Sequence, residues 1–338
     1  MKSLQFLFLF LFSLLFHAQI SDFESVNFKK ADSIALSYNY EDLTNLPDLS
    51  YKLTSNLNTD ADRFRAIYRW VCANIANDYG LYLKNKHKRQ RFKDDSLKFK
   101  TWNRDFRRAL FKKLLKRKRT ICTGYAYLVK KLAQLSNIEC EIVQGYGRVS
   151  TTDIENLDLP NHSWNAVKLD NKWYLCDPTW ASGTPDPATN HFSFNYNNGF
   201  FLTQPELFAV NHFPIDKKWW LLEEDIPSFE SFLAYPIIYG KAYKTLSLHE
   251  FPKRMHHTIK KHQKVTFKYK LKEILKEEDI KFLIDSGFNL WKTKTTSILI
   301  DDTSLILEHQ FNSNGFFDVH FYIKGSLIST YTVEVNKP

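Results

Sequence analysis

The stretch HSWNAVKLDNKWYLCDPTW, His162 to Trp180, decides the fold of the central part of the chain. Two apolar, strand-like runs flank Asp170 and Asn171, a pair suited to a two-residue type I′ hairpin turn. In that register the last residue of the first run opposes the first residue of the second. His162 and Asp177 then become diagonal neighbours on one sheet face, close enough for a carboxylate to hydrogen-bond an imidazole.

The same register makes two finer predictions. Trp164 should face Asp177, and His162 should face Thr179, whereas a three-residue loop would send Asp177 to the opposite face. Trp164 and Trp180 flank the His/Asp pair, so we predict that they bind a substrate chain beside it. Packing in the core is the alternative role for both tryptophans.

Cys122 stands where a basic run ends and an apolar helical pattern begins, in TICTGYAYLVKK, Thr120 to Lys131. Thr120 is available as an N-cap. Helix N-terminal amides and a nearby imidazole both stabilise a thiolate, so Cys122 is a candidate nucleophile. A buried structural cysteine is the alternative. With His162 as base and Asp177 as the group that orients it, the three residues follow the order of a cysteine triad.

The rest of the central region predicts two helices and an antiparallel sheet. Apolar residues recur at three and four residue steps from Asp60 to about Asn77, which is the pattern of an amphipathic helix. Cys140 to Gly147 is strand-like and precedes the hairpin. Residues 19–58 are expected to form a helical lead-in. Together these elements predict an α+β core.

The chain after the hairpin divides into two segments of different composition and pattern. Residues from Trp180 to Tyr239 are rich in Asn, Pro and aromatics and are expected to be irregular. His191 and His212 lie there without Cys or acidic residues at metal spacing, so no metal or other cofactor is expected. Several short alternating runs in residues 240–338 predict a small, immunoglobulin-like β-sandwich.

The net charge of +10 comes from one segment. Lys84 to Arg119 carries 17 Lys/Arg against 3 Asp, whereas the remainder carries 30 against 34 acidic residues. Aromatic residues interleave with these cations, a pattern that can bind nucleic acid. An exported protein rarely meets nucleic acid, so we expect a solvated helical insertion, with an anionic surface or an acidic protein as its possible partner.

The N-terminus has the layout of a secretory signal peptide over residues 1–18. Lys2 precedes an apolar run from Leu4 to Phe16, which is too short to span a bilayer comfortably. The mature protein is therefore expected to be secreted or periplasmic, without a stable membrane span. An uncleaved anchor is the alternative, because Phe16 is unfavourable three places before a cut after Ala18.

The four cysteines are few for an exported chain of 338 residues, so the fold should not depend on disulfides. Cys72, Cys140 and Cys176 are expected to be small buried apolar residues. A bridge between Cys140 and Cys176 is the open alternative.

Several separated motifs carry a resemblance to a known family. They are CTGYAYLVKKLAQL from Cys122, ECEIVQGYGR from Glu139 and NHSWNAVKLDNKWYLCDPTW from Asn161. With the helix ending IYRWVCANIAND and the tail FFLTQPELFAVNHFPIDKKWWLL, they resemble the transglutaminase-like superfamily, in its kyphoscoliosis-peptidase-related branch. The resemblance implies a transglutaminase-like domain over residues 59–239, with residues 84–119 as a basic insertion.

The resemblance also implies a chemistry. It predicts a papain-like cysteine nucleophile fold in which Cys122, His162 and Asp177 form the triad and a thioester is the intermediate. Water would release a peptidase or amidase product from a protein or peptide substrate, whereas a lysine amine would give a cross-link. The superfamily also includes inactive members, so a peptide-binding or scaffold protein is the alternative function.

Overall fold

The computed structural model describes residues 20–23, 25–287, 290–293, 295–301 and 303–338. The predicted signal peptide, residues 1–18, lies outside these residues, so export stays a prediction. Among the helices in the described ranges, none combines the length and the apolar character that crossing a bilayer requires.

The helices and strands of the described residues follow the predicted order. The helices are α1 (Lys29–Ser37), α2 (Leu46–Thr54), α3 (Asp60–Asn74), α4 (Tyr79–Arg91), α5 (Ser96–Arg117), α6 (Cys122–Leu135), α7 (Pro178–Ser182), α8 (Pro205–Phe208), α9 (Phe229–Ala234) and α10 (Ala242–Thr245). The strands are β1 (Ala76–Asn77), β2 (Arg119–Thr120), β3 (Cys140–Gly147), β4 (His162–Leu169), β5 (Lys172–Cys176), β6 (Gly183–Pro185), β7 (Phe192–Phe194), β8 (His212–Pro214), β9 (Ile237–Ile238), β10 (Leu246–Phe251), β11 (His256–Lys260), β12 (Lys264–Leu271), β13 (Ile280–Asp285), β14 (Leu290–Thr293), β15 (Ser297–Ile300), β16 (Ser304–Gln310), β17 (Gly315–Ile323) and β18 (Ser326–Asn336).

The central sheet is antiparallel with strand order β5-β4-β3-β8. Its hairpin turn is the predicted one, because Asp170 and Asn171 both have positive φ, 47° and 64°. The predicted register is confirmed, with Leu169 paired to Lys172. The segment that was expected to be irregular contains the short strands β6, β7, β8 and β9, and of these β8 joins the central sheet by pairing with β3.

The prediction that Asp177 and Thr179 lie in the sheet was wrong. Strand β5 ends at Cys176, and Asp177 becomes the N-cap of α7. Pro178 lacks a backbone N–H and has the fixed φ suited to the first helical position, so the chain turns into a helix there. Neither of the two predicted cross-strand pairs with β5 therefore forms, and His162 is paired on the opposite edge of β4, with Gly145 of β3.

Helix α6 covers one face of the central sheet. Leu128, Val129 and Leu132 are fully buried on this helix and join a core that also includes α3 side chains such as Ile67 and Val71. Burial of each such side chain contributes roughly 1.5–3 kcal/mol. The other face of the sheet packs a separate cluster around Trp164. Packing on both faces of the sheet therefore fixes the positions of β3 and β4 beneath the first turn of α6.

The lead-in helices dock on this core through a buried ion pair. The Arg65 guanidinium of α3 donates to both carboxylate oxygens of Asp32 in α1, at 2.6 and 2.9 Å. Its charge also lies 4.7 Å from the ring centroid of Phe201. Arg65 is almost fully buried, so this bidentate contact is what makes its burial tolerable.

The basic segment forms a two-helix hairpin of α4 and α5, hereafter the basic hairpin. Its aromatics pack largely within the hairpin: Trp102 stacks on Phe106 with ring centroids 5.7 Å apart, and the Trp102 indole donates to Asn85 at 3.0 Å. The two ends of the hairpin meet where β1 pairs in parallel with β2. An ion pair between Lys113 and Asp78 ties α5 to the start of α4.

The C-terminal region is a β-sandwich, as the alternating pattern predicted. One sheet has the order β10-β12-β16-β15, and the other has β11-β18-β17-β13-β14 with β9 also on β18. Buried side chains from both sheets, among them Phe267, Phe321 and Tyr331, form the layer between them. The predicted fold class, an α+β core followed by a strand-rich sandwich, is therefore confirmed.

Asp32→Asn tests the docking of the lead-in. This change removes the counter-charge of a buried guanidinium, so we expect the free energy of unfolding to fall by about 2 kcal/mol. Urea denaturation measures it. Asp48→Asn is the matched control, because its ion pair with Lys52 is largely exposed and should be worth less than about 1 kcal/mol. Equal losses of unfolding free energy in the two variants would contradict a special role for the Asp32–Arg65 ion pair.

Candidate active site

Cys122 is the first residue of α6 and has 7% of its surface exposed. The N-cap is Ile121, whose extended backbone carries no side-chain cap. The expectation that Thr120 caps the helix was therefore wrong. Thr120 belongs to β2, and its hydroxyl has no hydrogen-bond partner. The N–H of Gly124, the third residue of the helix, donates instead to the backbone carbonyl of Ile121 at 2.8 Å.

A glycine two residues after Cys122 allows this entry into the helix. A Cβ on Gly124 would lie 1.9 Å from Oγ1 of Thr120 and 2.8 Å from its Cβ. The Thr120 side chain therefore occupies the space that any larger residue would need. The Cys-x-Gly spacing is explained by this close approach of β2 to the first turn of α6.

His162 begins β4 and lies in a gap left by glycines of β3. A Cβ on Gly147 would lie 2.9 Å from the Cβ of His162, and a Cβ on Gly145 would strike the Trp164 ring. The Nε2 atom of His162 is 2.7 Å from Oδ2 of Asp177. Because Nε2 is engaged there, Nδ1 is the ring nitrogen left for the hydrogen bond with the Cys122 side chain.

Asp177 has no exposed surface, yet its carboxylate is fully supplied with donors. Oδ1 accepts the backbone N–H groups of Thr179 and Trp180, at 2.8 and 3.1 Å. Oδ2 faces His162 Nε2 and, at 3.1 Å, His212 Nε2. A buried carboxylate with this many donors is strongly favoured in its ionised form.

The electrostatics of the three residues support a thiolate–imidazolium pair. Burial alone would raise the pKa of the Cys122 thiol, but the hydrogen bond and charge of His162 lower it below its ordinary value. Burial alone would lower the pKa of His162, but Asp177 and then Cys122 raise it to about 10. The pKa of the Asp177 carboxyl lies well below its usual range because both imidazoles outweigh its burial.

Sequence reasoning missed His212, which the structure places beside Asp177. No acidic residue stands at metal spacing from His212 in the sequence, but the pairing of β8 with β3 brings His212 to Asp177, which is 35 residues earlier in the chain. The only sequence signal was its position in the VNHFP part of the tail. His191, by contrast, is exposed and lies outside this cluster.

His162, Asp177 and His212 also offer ligand atoms within 4.8 Å of one another, as a metal site would. The contacts of 2.7 and 3.1 Å from the Asp177 oxygen to the two Nε2 atoms are hydrogen-bond lengths. With metal–ligand bonds of about 2.0–2.1 Å, a tetrahedral ion would hold its ligand atoms roughly 3.3–3.4 Å apart, farther than either contact. The arrangement fits a hydrogen-bonded cluster.

The two tryptophans occupy different positions. Trp180 is half-buried and stacks on the His162 ring, with centroids 4.8 Å apart and planes 20° apart. Substrate contact stays a prediction for Trp180. Trp164 is fully buried in the cluster on the sheet face that points away from α6, and it has no exposed surface to offer a substrate. The packing alternative therefore describes Trp164.

The other cysteines are unlike Cys122. All four cysteines are free, so the Cys140–Cys176 bridge is not formed. Burial raises the pKa of the Cys72 thiol to about 12 and raises those of Cys140 and Cys176 further. Only Cys122 combines a thiol of lowered pKa with an imidazole partner.

Comparison with known proteins identifies similar sequences for the central part of the chain. Residues 47–178 match the family model of the transglutaminase-like superfamily. The kyphoscoliosis peptidase of Homo sapiens is 34% identical over 191 residues, which cover 55% of this chain and 26% of that protein. The peptidase of Mus musculus is 32% identical over 209 residues, covering 60% and 28%. A solved structure titled as a TGase covers 47% of this chain and 36% of its own, at 15% identity and a TM-score of 0.25.

The fold and the site thus define a transglutaminase-like domain. Over the matched residues the chain is similar to the kyphoscoliosis peptidases, and the resemblance drawn from the motifs is confirmed. The matched regions span about a quarter of the length of these two curated relatives.

Gly124→Ala tests the packing that positions Cys122. The new methyl group would overlap Thr120, so we expect a loss of about 1–3 kcal/mol in stability and slower alkylation of Cys122. Gly80→Ala is the matched control in the first turn of α4, where the nearest atom is a flexible Asn190 side-chain oxygen at 3.4 Å. Denaturation and iodoacetamide labelling measure both effects. A Gly124→Ala protein as stable and reactive as Gly80→Ala would refute the packing argument.

Proposed function

We propose that this chain is a transglutaminase-like cysteine enzyme that acts on protein or peptide amides. The observation that carries the proposal is the continuous contact from Cys122 through His162 to Asp177, with the thiol pKa lowered by the imidazole. A buried cysteine without a chemical role has no need of this partner, and the other three cysteines lack it.

In the proposed reaction the Cys122 thiolate attacks the amide carbonyl carbon and forms a C–S bond. The Cys122 backbone N–H is a candidate donor to the developing oxyanion. His162 Nδ1 then gives its proton to the amide nitrogen, which leaves as an amine, and a thioester remains. Asp177 holds the His162 ring through Nε2 during this proton transfer and during the later one that releases the thioester.

The fate of the thioester separates two activities within this proposal. If water attacks, His162 accepts its proton, the C–S bond breaks, and a carboxylic acid is released. If a lysine amine attacks in the same way, an isopeptide bond forms. The competing class of function is a peptide-binding scaffold, which would not require an activated thiol.

Thiol alkylation tests the proposal without a known substrate. A lowered pKa means that the thiolate persists at lower pH than that of a free thiol with a pKa of about 8.5. We therefore expect the midpoint of the labelling rate against pH to lie below that of free cysteine. At pH 6.5, iodoacetamide should label Cys122 at least about tenfold faster than free cysteine, as measured by peptide mapping.

His162→Ala is the decisive variant. Without the imidazole, burial and the Asp177 charge raise the pKa of the thiol against the hydrogen bond from the Ser163 backbone, so labelling should slow by about tenfold or more. Cys72, Cys140 and Cys176 serve as internal controls and should stay unlabelled in the folded protein. Wild-type labelling at the rate of free cysteine would favour the scaffold function.

We also propose that the basic hairpin binds an acidic protein or another anionic surface. Helix α5 carries nine Lys/Arg and one Asp. One of its faces presents a groove lined by Phe99, Lys100, Asn103, Arg104, Arg107 and Arg108. The four cations recur at helical spacing and are solvent-exposed, so their charges sum on one side of the helix.

Polyglutamate-coated beads test this interaction. We expect neutralisation of Lys100, Arg104, Arg107 and Arg108 to Gln to weaken retention about tenfold or more at low salt, because exposed charges dominate it. The control neutralises four exposed sandwich cations, Lys253, Arg254, Lys260 and Lys268. Retention of the wild-type protein should fall as salt rises to about 0.5 M. Retention that is insensitive to salt would rule out this binding mode.

A further inference from the structure

His212 is a second imidazole on the same carboxylate oxygen that orients His162. Its Nε2 lies 3.1 Å from Oδ2 of Asp177, and its Nδ1 lies 3.2 Å from the carbonyl oxygen of Phe208. The residue is almost fully buried, at 1% exposure. It lies beyond residue 178, where the match to the family model ends.

The two contacts decide where the proton of His212 resides. Both Asp177 Oδ2 and the Phe208 carbonyl are acceptors, but a neutral imidazole has a single N–H. Burial lowers the pKa of His212 to about 4, so the ring is neutral at pH 7. A charged acceptor makes the stronger hydrogen bond. The N–H therefore belongs on Nε2, where it donates to Asp177.

The position of the ring is fixed on every side. Phe208 stacks on it with centroids 3.7 Å apart and planes 12° apart. Trp180 and Trp164 lie at 4.4 and 5.0 Å. These neighbours are uncharged rings, so Asp177 and His162 are the titratable groups that face His212, with Cys122 beyond His162. Because its neighbours already fix the ring, His212 loses little conformational entropy when its Nε2–H donates to Asp177.

We propose that His212 is a positioning residue of the active site, donating from Nε2 to Asp177 so that the carboxylate stays ionised and fixed against His162. This proposal rests on the proposed cysteine chemistry. His212 touches neither Cys122 nor the place where an amide would react. It acts through Asp177, whose Oδ2 it shares with His162.

The consequence reaches Cys122 through two hydrogen bonds. Loss of the His212 donor leaves the buried carboxylate with one fewer partner, which favours its protonated form. A less stable carboxylate supports the His162 imidazolium less well. The thiolate–imidazolium pair then weakens, and the thiolate fraction of Cys122 falls near neutral pH.

Two variants separate donation from packing. His212→Phe keeps a ring of similar size among the aromatic neighbours but removes the donor, and we expect it to slow Cys122 labelling about tenfold. The midpoint of the pH profile should move up by about half a unit or more. His212→Gln retains an N–H donor, and we expect it to recover most of the labelling rate.

His249→Phe is the matched control for stability. His249 is also a buried histidine with a lowered pKa, and its Nε2 contacts the Tyr331 hydroxyl at 2.9 Å within the sandwich. It should affect denaturation comparably and leave Cys122 labelling within about twofold of wild type. Nitrogen-15 NMR of the His212 ring supplies a direct check, with a proton expected on Nε2.

The outcomes are distinguishable. Slow labelling in His212→Phe, rescue in His212→Gln and a protonated Nε2 support the proposal. Normal labelling in a folded His212→Phe protein, equal losses in Phe and Gln variants, or an Nε2 without a proton overturns it. Wild-type Cys122 that reacts no faster than free cysteine instead overturns the cysteine chemistry itself, whatever the His212 variants do.

Discussion

The burial of the Asp177 carboxylate is the constraint on which the rest of the active site depends. A charge with no exposed surface must be surrounded by donors, and Asp177 receives them from the first turn of α7 and from two imidazoles. Its backbone is fixed as well, since its N–H donates to Phe200 and its carbonyl accepts the Tyr68 hydroxyl. Strand, helix and tail therefore converge on one residue, and the orientation of His162 follows from that convergence.

Local signals in the sequence were sufficient for the hairpin and the helix at Cys122. Asp170 and Asn171 adopt the positive φ values that their residue types tolerate, so the turn and the register could be predicted. The end of β5 could also have been predicted from Pro178, which cannot extend a ladder but can begin a helix. Thr120 does not cap the helix because it pairs in β2, so Ile121 takes the N-cap position.

His212 could not be found in this way because its partner is distant in the chain. Only the pairing of β8 with β3 brings it to Asp177, and a three-residue strand gives almost no periodic signal. The lowered pKa of the Cys122 thiol has its main cause inside the active site. His162 lowers the pKa of the thiol, while the cations of α5 are mostly exposed to solvent.

The short parallel pairing of β1 with β2 has a consequence for how this chain could change over time. Ala76 lies opposite Arg119 and Asn77 opposite Thr120, so the basic hairpin leaves and re-enters the domain at neighbouring points. The pairing of β1 with β2 holds the two ends of the hairpin together. The entropic cost of joining these ends grows only slowly with the number of residues between them. The outer part of the hairpin can therefore change in length and charge, whereas its base, where Leu114 is buried in the core, must be kept for the entry into α6 and the position of Cys122 to stay the same.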